Sequence, residues 1–248
     1  MQHLLRRKVI FIVLAIVCPL VGLCQFGTQI NQPDHDTKLF HFGINVGINR
    51  SHFSITHHPR FLYLPNGNTN DTVTAIESLN STGINLAWLV NLNLSEHWDI
   101  RTTPLNLTFT ERVLEYNLTY PDGPGGEAPV TQKKLQSITL TLPLELKFSS
   151  DRIDNFKVYM LAGIKGEYDL ASNAGARKAE DLIKLKKFDY GLEAGFGFHF
   201  YFPMFVLTPE LKVGWGLGNL HSRDENLKFS NVIDKINSRM LSFSLTVE

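Results

Sequence analysis

Cysteine is scarce in this chain of 248 residues: there are two, Cys18 and Cys24, both near the N-terminus. Two cysteines build no disulfide framework, and the lack of a C-x-x-C spacing removes the usual zinc frames. Net charge is missing too, because 24 basic side chains balance 24 acidic ones. Without a basic excess there is no electrostatic ground to expect nucleic acid as a partner. Beyond residue 25 no run approaches the roughly 18 consecutive apolar residues of a membrane-crossing helix, which excludes a helical membrane protein after that point. Disorder is excluded from the other side, since 43% of the residues are hydrophobic and 19% charged.

The first residues have the form of a removable export signal. Arg6, Arg7 and Lys8 make a basic start, Val9 to Val21 carries no charge, and Gly22-Leu23-Cys24 offers small residues at the positions a signal peptidase reads. The expectation is a signal peptide over 1–24, a short polar segment over 25–37 and one domain from 38 to 248. Lipidation at Cys24 is the competing reading, and Leu23, large where a small residue is usual, argues against it. Cleavage would remove both cysteines, which suits an oxidising compartment.

From residue 38 onward the chain alternates with period two, eight times over, and period two is the signature of strands with unlike faces. The first segment sets Phe40, Phe42, Ile44, Val46 and Ile48 against His41, Gly43, Asn45, Gly47 and Asn49. The fourth sets Ile138, Leu140, Leu142, Leu144, Leu146 and Phe148 against Thr139, Thr141, Pro143, Glu145 and Lys147. The others lie near 83–94, 98–113, 156–165, 188–200, 207–217 and 241–247. In the third, the apolar parity shifts between Ile100 and Leu105, which predicts a bulge near Thr103-Pro104.

Connections alternate in length. Those over 56–82, 115–134, 171–184 and 219–237 are long and polar, whereas those near 95–97, 149–155 and 201–204 are short. An outer-membrane-type barrel has short periplasmic turns, long external loops and an even number of strands. The predicted fold is therefore all-β, an eight-stranded antiparallel transmembrane β-barrel in the cell outer membrane, with membrane lipid around it. A soluble eight-stranded ligand barrel is the alternative. It would need a charged outer face, and the second face here is mostly Gly, Asn, Ser and Thr. Aromatic residues also gather at both ends of the apolar face, with Phe148, Phe156, Phe200 and Phe205 near the turns and Phe109, Tyr168, Phe188 and Trp215 nearer the loops. That is the pattern of interfacial girdles.

The inward face would then carry Arg112, Lys147, Lys165 and Lys212 beside Glu145, Glu167, Asp189, Glu193 and Glu210. In a barrel barely wide enough for its own side chains, these groups are expected to pair into a plug, because a lone buried charge is costly. Glu193 and Glu210, with Lys212 or Lys165, form the expected centre, and a proton or ion path through them is the competing use. Catalysis finds no frame: no Ser stands at strand spacing from an accessible outward His, and His199 points inward near a turn. His52, His57 and His58 lack the acidic or Cys partners of a metal site. No phosphate loop, cofactor or small-molecule substrate is indicated.

Several segments, read in order, resemble the PorT (SprT) family of outer-membrane barrels of type IX secretion and gliding systems in Bacteroidetes-type bacteria. They are Phe42-Gly43-Ile44-Asn45-Val46-Gly47, the F-x-E-R of Phe109 to Arg112 within Pro104 to Arg112, the L-P-L-E-x-K of Leu142 to Lys147, Asp189 to Gly197, and Pro209-Glu210-Leu211-Lys212. The resemblance runs from about residue 38 to the end. It implies a non-enzymatic component needed for protein transport through the type IX secretion system, acting on protein partners in that machinery, and for gliding motility. It carries over no active-site residue. The alternatives are a structural or adhesive barrel with no secretion role and, behind it, a lipid-modifying barrel enzyme.

Overall fold

The computed structural model describes residues 29–59, 73–118, 129–171, 183, 185–223 and 228–248. The expected signal segment over 1–24, with Cys24, and residues 60–72 and 119–128 of the connections expected over 56–82 and 115–134 lie outside these. The strands are β1 (Phe40–His57), β2 (Val73–Leu79), β3 (Ser81–Asn93), β4 (Trp98–Leu118), β5 (Val130–Ser149), β6 (Phe156–Asp169), β7 (Phe188–Tyr201), β8 (Val206–Gly216) and β9 (Ile233–Val247). One turn of helix, α1 (Lys228–Asn231), precedes β9. All pairings are antiparallel, and β1–β3, β3–β4, β4–β5, β5–β6, β6–β7, β7–β8, β8–β9 and β9–β1 close a ring. The ring has eight members and is closed, and among the described strands β2, paired with β4 alone, keeps one unpaired side.

β2 is not a ninth member. It lies along β4 where β3 stops, with Leu79 opposite Val113 and Ile84 of β3 opposite Phe109. β2 and β3 are thus consecutive pieces of one wall strand, separated at Asn80 by a one-residue slip. The bulge in β4 falls where the parity shift put it. Its register breaks between Thr102 and Asn106 against β5, and opposite Trp88–Val90 against β3.

The wall carries a continuous apolar band on its outside. Phe42, Ile44, Val46 and Ile48 of β1, Leu142, Leu144 and Leu146 of β5, and Leu241, Phe243 and Leu245 of β9 are all exposed large apolar side chains. A water-soluble barrel would not carry such a belt, whereas a lipid-facing wall requires it. The expected girdle residues Phe109, Phe148, Tyr168, Phe188, Phe200, Phe205 and Trp215 are among the exposed set.

The strands do not stop at the upper edge of that band, and the expected loop boundaries are corrected there. β4 continues to Leu118, β5 begins at Val130, β9 begins at Ile233, and Val73–Leu79 is strand rather than loop. The apolar residues change face as the strands leave the band. In β1 they face out through Ile48 and in from Phe53; in β4 out through Phe109 and in from Leu114. β5 reverses between Leu135 and Ile138, and β9 between Ile236 and Leu241. A strand in water must turn its apolar side inward, so the reversal marks the water line. Without it, the lost alternation looks like the end of a strand. Above the line Phe53, Ile76, Leu114, Tyr116, Leu135, Phe229, Val232, Ile233 and Ile236 pack as one core inside the barrel.

The opposite end is shut by the segment before β1. A single 3-10 turn, His35–Thr37, sits under the mouth. Asp36 lies 3.6 Å from Arg152 and 3.5 Å from Lys157 and accepts a hydrogen bond from the Tyr201 hydroxyl at 2.7 Å. Burial alone would push the Asp36 carboxyl up. Hydrogen bonds from His35 and Tyr201, with the charges of Lys157 and Arg152, hold it well below the usual carboxylate range. Arg152 also covers the Tyr201 ring at 3.6 Å and donates to the Asn31 carbonyl.

Candidate functional site in the barrel lumen

Alternate residues of each strand must face the lumen, and within the membrane band those residues are mostly polar or glycine, with Ala87, Leu89 and Leu161 as apolar exceptions. All nine charged residues singled out by sequence, Arg112, Glu145, Lys147, Lys165, Glu167, Asp189, Glu193, Glu210 and Lys212, sit on the inward face. Eight are buried, and Lys212 is the most accessible, with 15% of its side chain exposed. They do not form one cluster. They separate into three levels along the barrel axis.

The middle level holds four of them with two residues that the sequence reading did not select. Lys212 donates to Glu145 at 2.6 Å and lies 3.4 Å from Glu210 and 4.0 Å from Glu193. Glu210 accepts from Arg101 at 2.5 Å and from the Tyr159 hydroxyl at 2.6 Å. Arg101 is among the largest fully buried side chains of the protein. Its inward position follows from Ile100, the outward residue just before the bulge; counting backward from Leu105 through the bulge hides it. Tyr159 fits because Gly197 faces it, where a Cβ would stand 2.4 Å from the phenol oxygen. Lys212 between Glu145 and Glu210, with Arg101 and Tyr159 on Glu210, offsets the desolvation of these groups, while Glu193 Oε1 and Glu145 Oε2 have no hydrogen-bond partner among the described residues.

Towards the turns, Lys147 pairs with Asp99 at 2.9 Å, and Tyr159 stacks on His199 with centroids 4.7 Å apart. His199 shares a 2.7 Å hydrogen bond with the Thr208 hydroxyl. Glu248 folds back into this end, 4.0 Å from Arg101 and 3.9 Å from His35. Towards the loops, Lys165 donates to Glu167 of its own strand at 2.6 Å. Asp189 accepts backbone N–H bonds from Tyr190 at 2.8 Å and Gly218 at 3.0 Å, so it closes a loop rather than joining the cluster. Arg112 departs from the expected pairing as well. It donates to the hydroxyls of Ser238 at 3.0 Å and Ser51 at 3.4 Å and covers the Phe53 ring at 4.7 Å. It lies on the seam between the polar lumen and the apolar core above.

The charges occupy the half of the lumen built from β4 to β8. The half built from β1, β3 and β9 is neutral: Asn45 donates to Ser244 at 2.9 Å and Thr246 at 2.8 Å, and Asn85 donates to Asn45 at 3.2 Å. Between the halves lies a cavity of about 30 Å³ bordered by Asn49, Asn106, Glu193 and Lys212. That is room for one or two water molecules, so at this level the described side chains pack the lumen. No group of three or more His, Cys, Asp or Glu suited to a metal ion occurs among the described residues. His52 faces outward on β1, opposite Arg239.

The family model described as "Outer membrane protein beta-barrel domain" matches residues 28–222. Among solved structures, this chain is similar to OprG of Pseudomonas aeruginosa, at 14% identity and a TM-score of 0.41 over 83% of this chain and 93% of that one. It is also similar to Neisserial surface protein A, at 10% identity and a TM-score of 0.38 over 85% and 99%. A third is Ail of Yersinia pestis, solved with the heparin analogue sucrose octasulfate, at 11% identity and a TM-score of 0.37 over 83% and 96%. No match was found among curated proteins.

Proposed function

For a chain that belongs to the outer membrane protein beta-barrel domain family and resides in the outer membrane, we propose a non-enzymatic role exerted through its outer surfaces: support of protein transport by the type IX secretion system, with gliding as a dependent activity. The packed lumen carries this reading. With a cavity of about 30 Å³ beside the Lys212 cluster, the described lumen has no room for a protein chain, so partners are expected at the wall and the loops. The secretion role itself rests on the ordered segments quoted above. Two of them, L-P-L-E-x-K and P-E-L-K, supply Glu145, Glu210 and Lys212, which meet within 3.4 Å at the centre of the lumen. The resemblance thus falls on residues that close the barrel.

A second reading, a structural or adhesive barrel without a secretion role, is favoured by the packed core above the membrane band, which would hold the loops on a rigid stalk. Comparative proteomics of the culture supernatant and cell surface in a complemented deletion strain separates the two. Loss of proteins bearing C-terminal type IX signals, with their accumulation in the periplasm, supports the secretion role. An unchanged secretome removes it and leaves the structural role standing, and altered lipid A in the mutant would instead favour an enzyme.

A further inference from the structure

Outside the barrel, just above the water line, the charges are not evenly spread. On β1 and β9, which are hydrogen-bonded neighbours, the outward residues after the last apolar ones are basic. Arg50 stands two residues beyond Ile48, and Arg239 two residues beyond Leu241. His52 is directly opposite Arg239, and Lys235 lies further along opposite Thr56. Arg50, His52 and Lys235 are exposed and Arg239 is half-buried, and among the described residues none of the four makes an ion pair. The other side of the same rim is acidic: Glu77, Glu111 and Glu115 face out from β2 and β4, with Lys134 held by Glu111 at 3.2 Å.

Height decides what the basic face meets. Two residues along a strand are about 7 Å, so Arg50 and Arg239 stand at headgroup level rather than out in solution. Arg239 is held for this: its Nη1 donates to the carbonyls of Gly216 at 3.0 Å and Ser238 at 3.4 Å, which leaves most of a five-donor guanidinium facing outward. Across β8 from it, between β5 and β7, the lipid-facing wall is dented. Leu217, whose amide donates to the Tyr190 carbonyl at 2.8 Å, borders an apolar groove of about 560 Å³ with Leu142, Ile164, Gly166 and Leu192. Gly166 opens that groove, since a Cβ there would find nothing nearer than Phe188 at 4.0 Å.

We propose that the β1–β9 face binds the phosphate groups of an outer-leaflet glycolipid, with Arg50, His52, Lys235 and Arg239 as the headgroup contacts and the Gly166 groove as the seat of an acyl chain. Guanidinium and ammonium groups at a phosphate form charge-assisted hydrogen bonds, and the unpaired basic charge complements an anionic lipid surface. The site needs only the membrane setting and is independent of the secretion role.

The test uses the full-length barrel in detergent micelles, with native mass spectrometry counting retained phosphorylated lipid A, its dephosphorylated form and inorganic phosphate. Each basic side chain removed should weaken retention about five-fold, so Arg50→Gln/Lys235→Gln/Arg239→Gln should lose about a hundred-fold. Lys134→Gln, on the acidic side, should lose nothing, and Gly166→Leu should lose several-fold by filling the groove. Heat-modifiable electrophoretic mobility confirms that each variant is folded. Equal retention by wild type and the triple variant, or equal retention of the dephosphorylated lipid, overturns the headgroup assignment. Inorganic phosphate held as tightly as the lipid makes this a free-anion site and overturns it too, and full retention by Gly166→Leu overturns the acyl seat.

Discussion

The same strands build two barrels of opposite polarity, one above the other. Inside the membrane band the wall is apolar and the interior is charged, with Arg101, Glu210, Lys212 and Glu145 bonded across the lumen. Above the band the wall carries Glu77, Glu111, Glu115 and Lys134, and the interior is Leu114, Tyr116, Phe229 and Ile236. The upper part follows the rule of soluble proteins, in which burial of apolar surface holds the interior. In the lower part the wall gains nothing by leaving water, because lipid is already apolar. Cohesion there rests on the closed backbone ladder and on the ion pairs and hydrogen bonds made across the lumen.

The sharpest way to break this contrast is to remove one charge from the lower interior. Arg101→Met leaves Glu210 buried with Lys212 and Tyr159 as its remaining partners. Loss of one member of a buried pair costs about 4 kcal/mol. Urea unfolding in micelles should show a drop of that order, with much of it recovered in Arg101→Met/Glu210→Gln. An Arg101→Met barrel as stable as wild type would mean that the lumen ion pairs contribute little. In the upper section the matching change is Leu114→Ala, at a fully buried side chain. Removal of those methyl groups should cost about 3 kcal/mol. Hydrogen exchange should quicken at the amides of 53–57, 114–118 and 233–236 while the membrane band stays protected. Uniform loosening of the whole barrel would show that the two sections do not unfold separately.

How legible this was depended on the phase of the alternation. β1 and β5 could be read from their apolar faces, because Phe40 to Ile48 and Ile138 to Phe148 alternate without a break. Their extensions could not. Leu114, Tyr116 and Leu118 are as regular as Leu105, Leu107 and Phe109 but fall on the other parity, so the water line reads as a loop boundary. Val73-Thr74-Ala75-Ile76 has no clean alternation at all, and its strand state comes from the ladder to Leu118–Val113. In the lumen, residue type and parity placed nine charges inside, but partnership is a property of strand order and tilt. Arg101 lay behind a bulge, and Arg112 stood beside hydroxyls that the chain brings from 61 and 126 residues away. The cover at the other mouth was equally hidden, since Asp36 finds its cations 116 and 121 positions later.

Acid should act on the two sections unequally. His221, at the foot of the upper core, bonds the Ser230 hydroxyl through Nε2 at 2.9 Å. Burial pushes its imidazole below the ordinary histidine range; the Asp234 backbone carbonyl and carboxylate oppose this, and Arg223 and Lys186 reinforce it. The folded state therefore holds the neutral ring while the unfolded chain accepts a proton. Stability from this group is fully present above about pH 6.5 and is lost as pH falls from there through the lowered folded value. The protection factors of the amides of 219–221 and 230–236, which are exchange rates normalised to the intrinsic rate at each pH, should fall at pH 5 relative to pH 7.5, and His221→Gln should flatten that dependence. A pH response that persists in His221→Gln would locate the titrating group elsewhere.

The smallest effect is expected on the outer face of the upper section, and it sharpens the contrast by being small. Lys134 and Glu111 form a 3.2 Å pair whose side chains are 66% and 42% exposed. In water such a pair gains little Coulomb energy and gives up the freedom of two long side chains, so Lys134→Ala should cost no more than about 1 kcal/mol. Its effect should shrink further as salt is raised, because screening reaches exposed charges. The Arg101→Met loss, measured across the same salt range, should stay nearly constant, since the Arg101 and Glu210 side chains are only 1% and 2% exposed and salt screens buried pairs far less than exposed ones. Equal salt sensitivity of the two variants would mean that solvent reaches Glu210, and the lower interior would then have to be regarded as wet rather than packed.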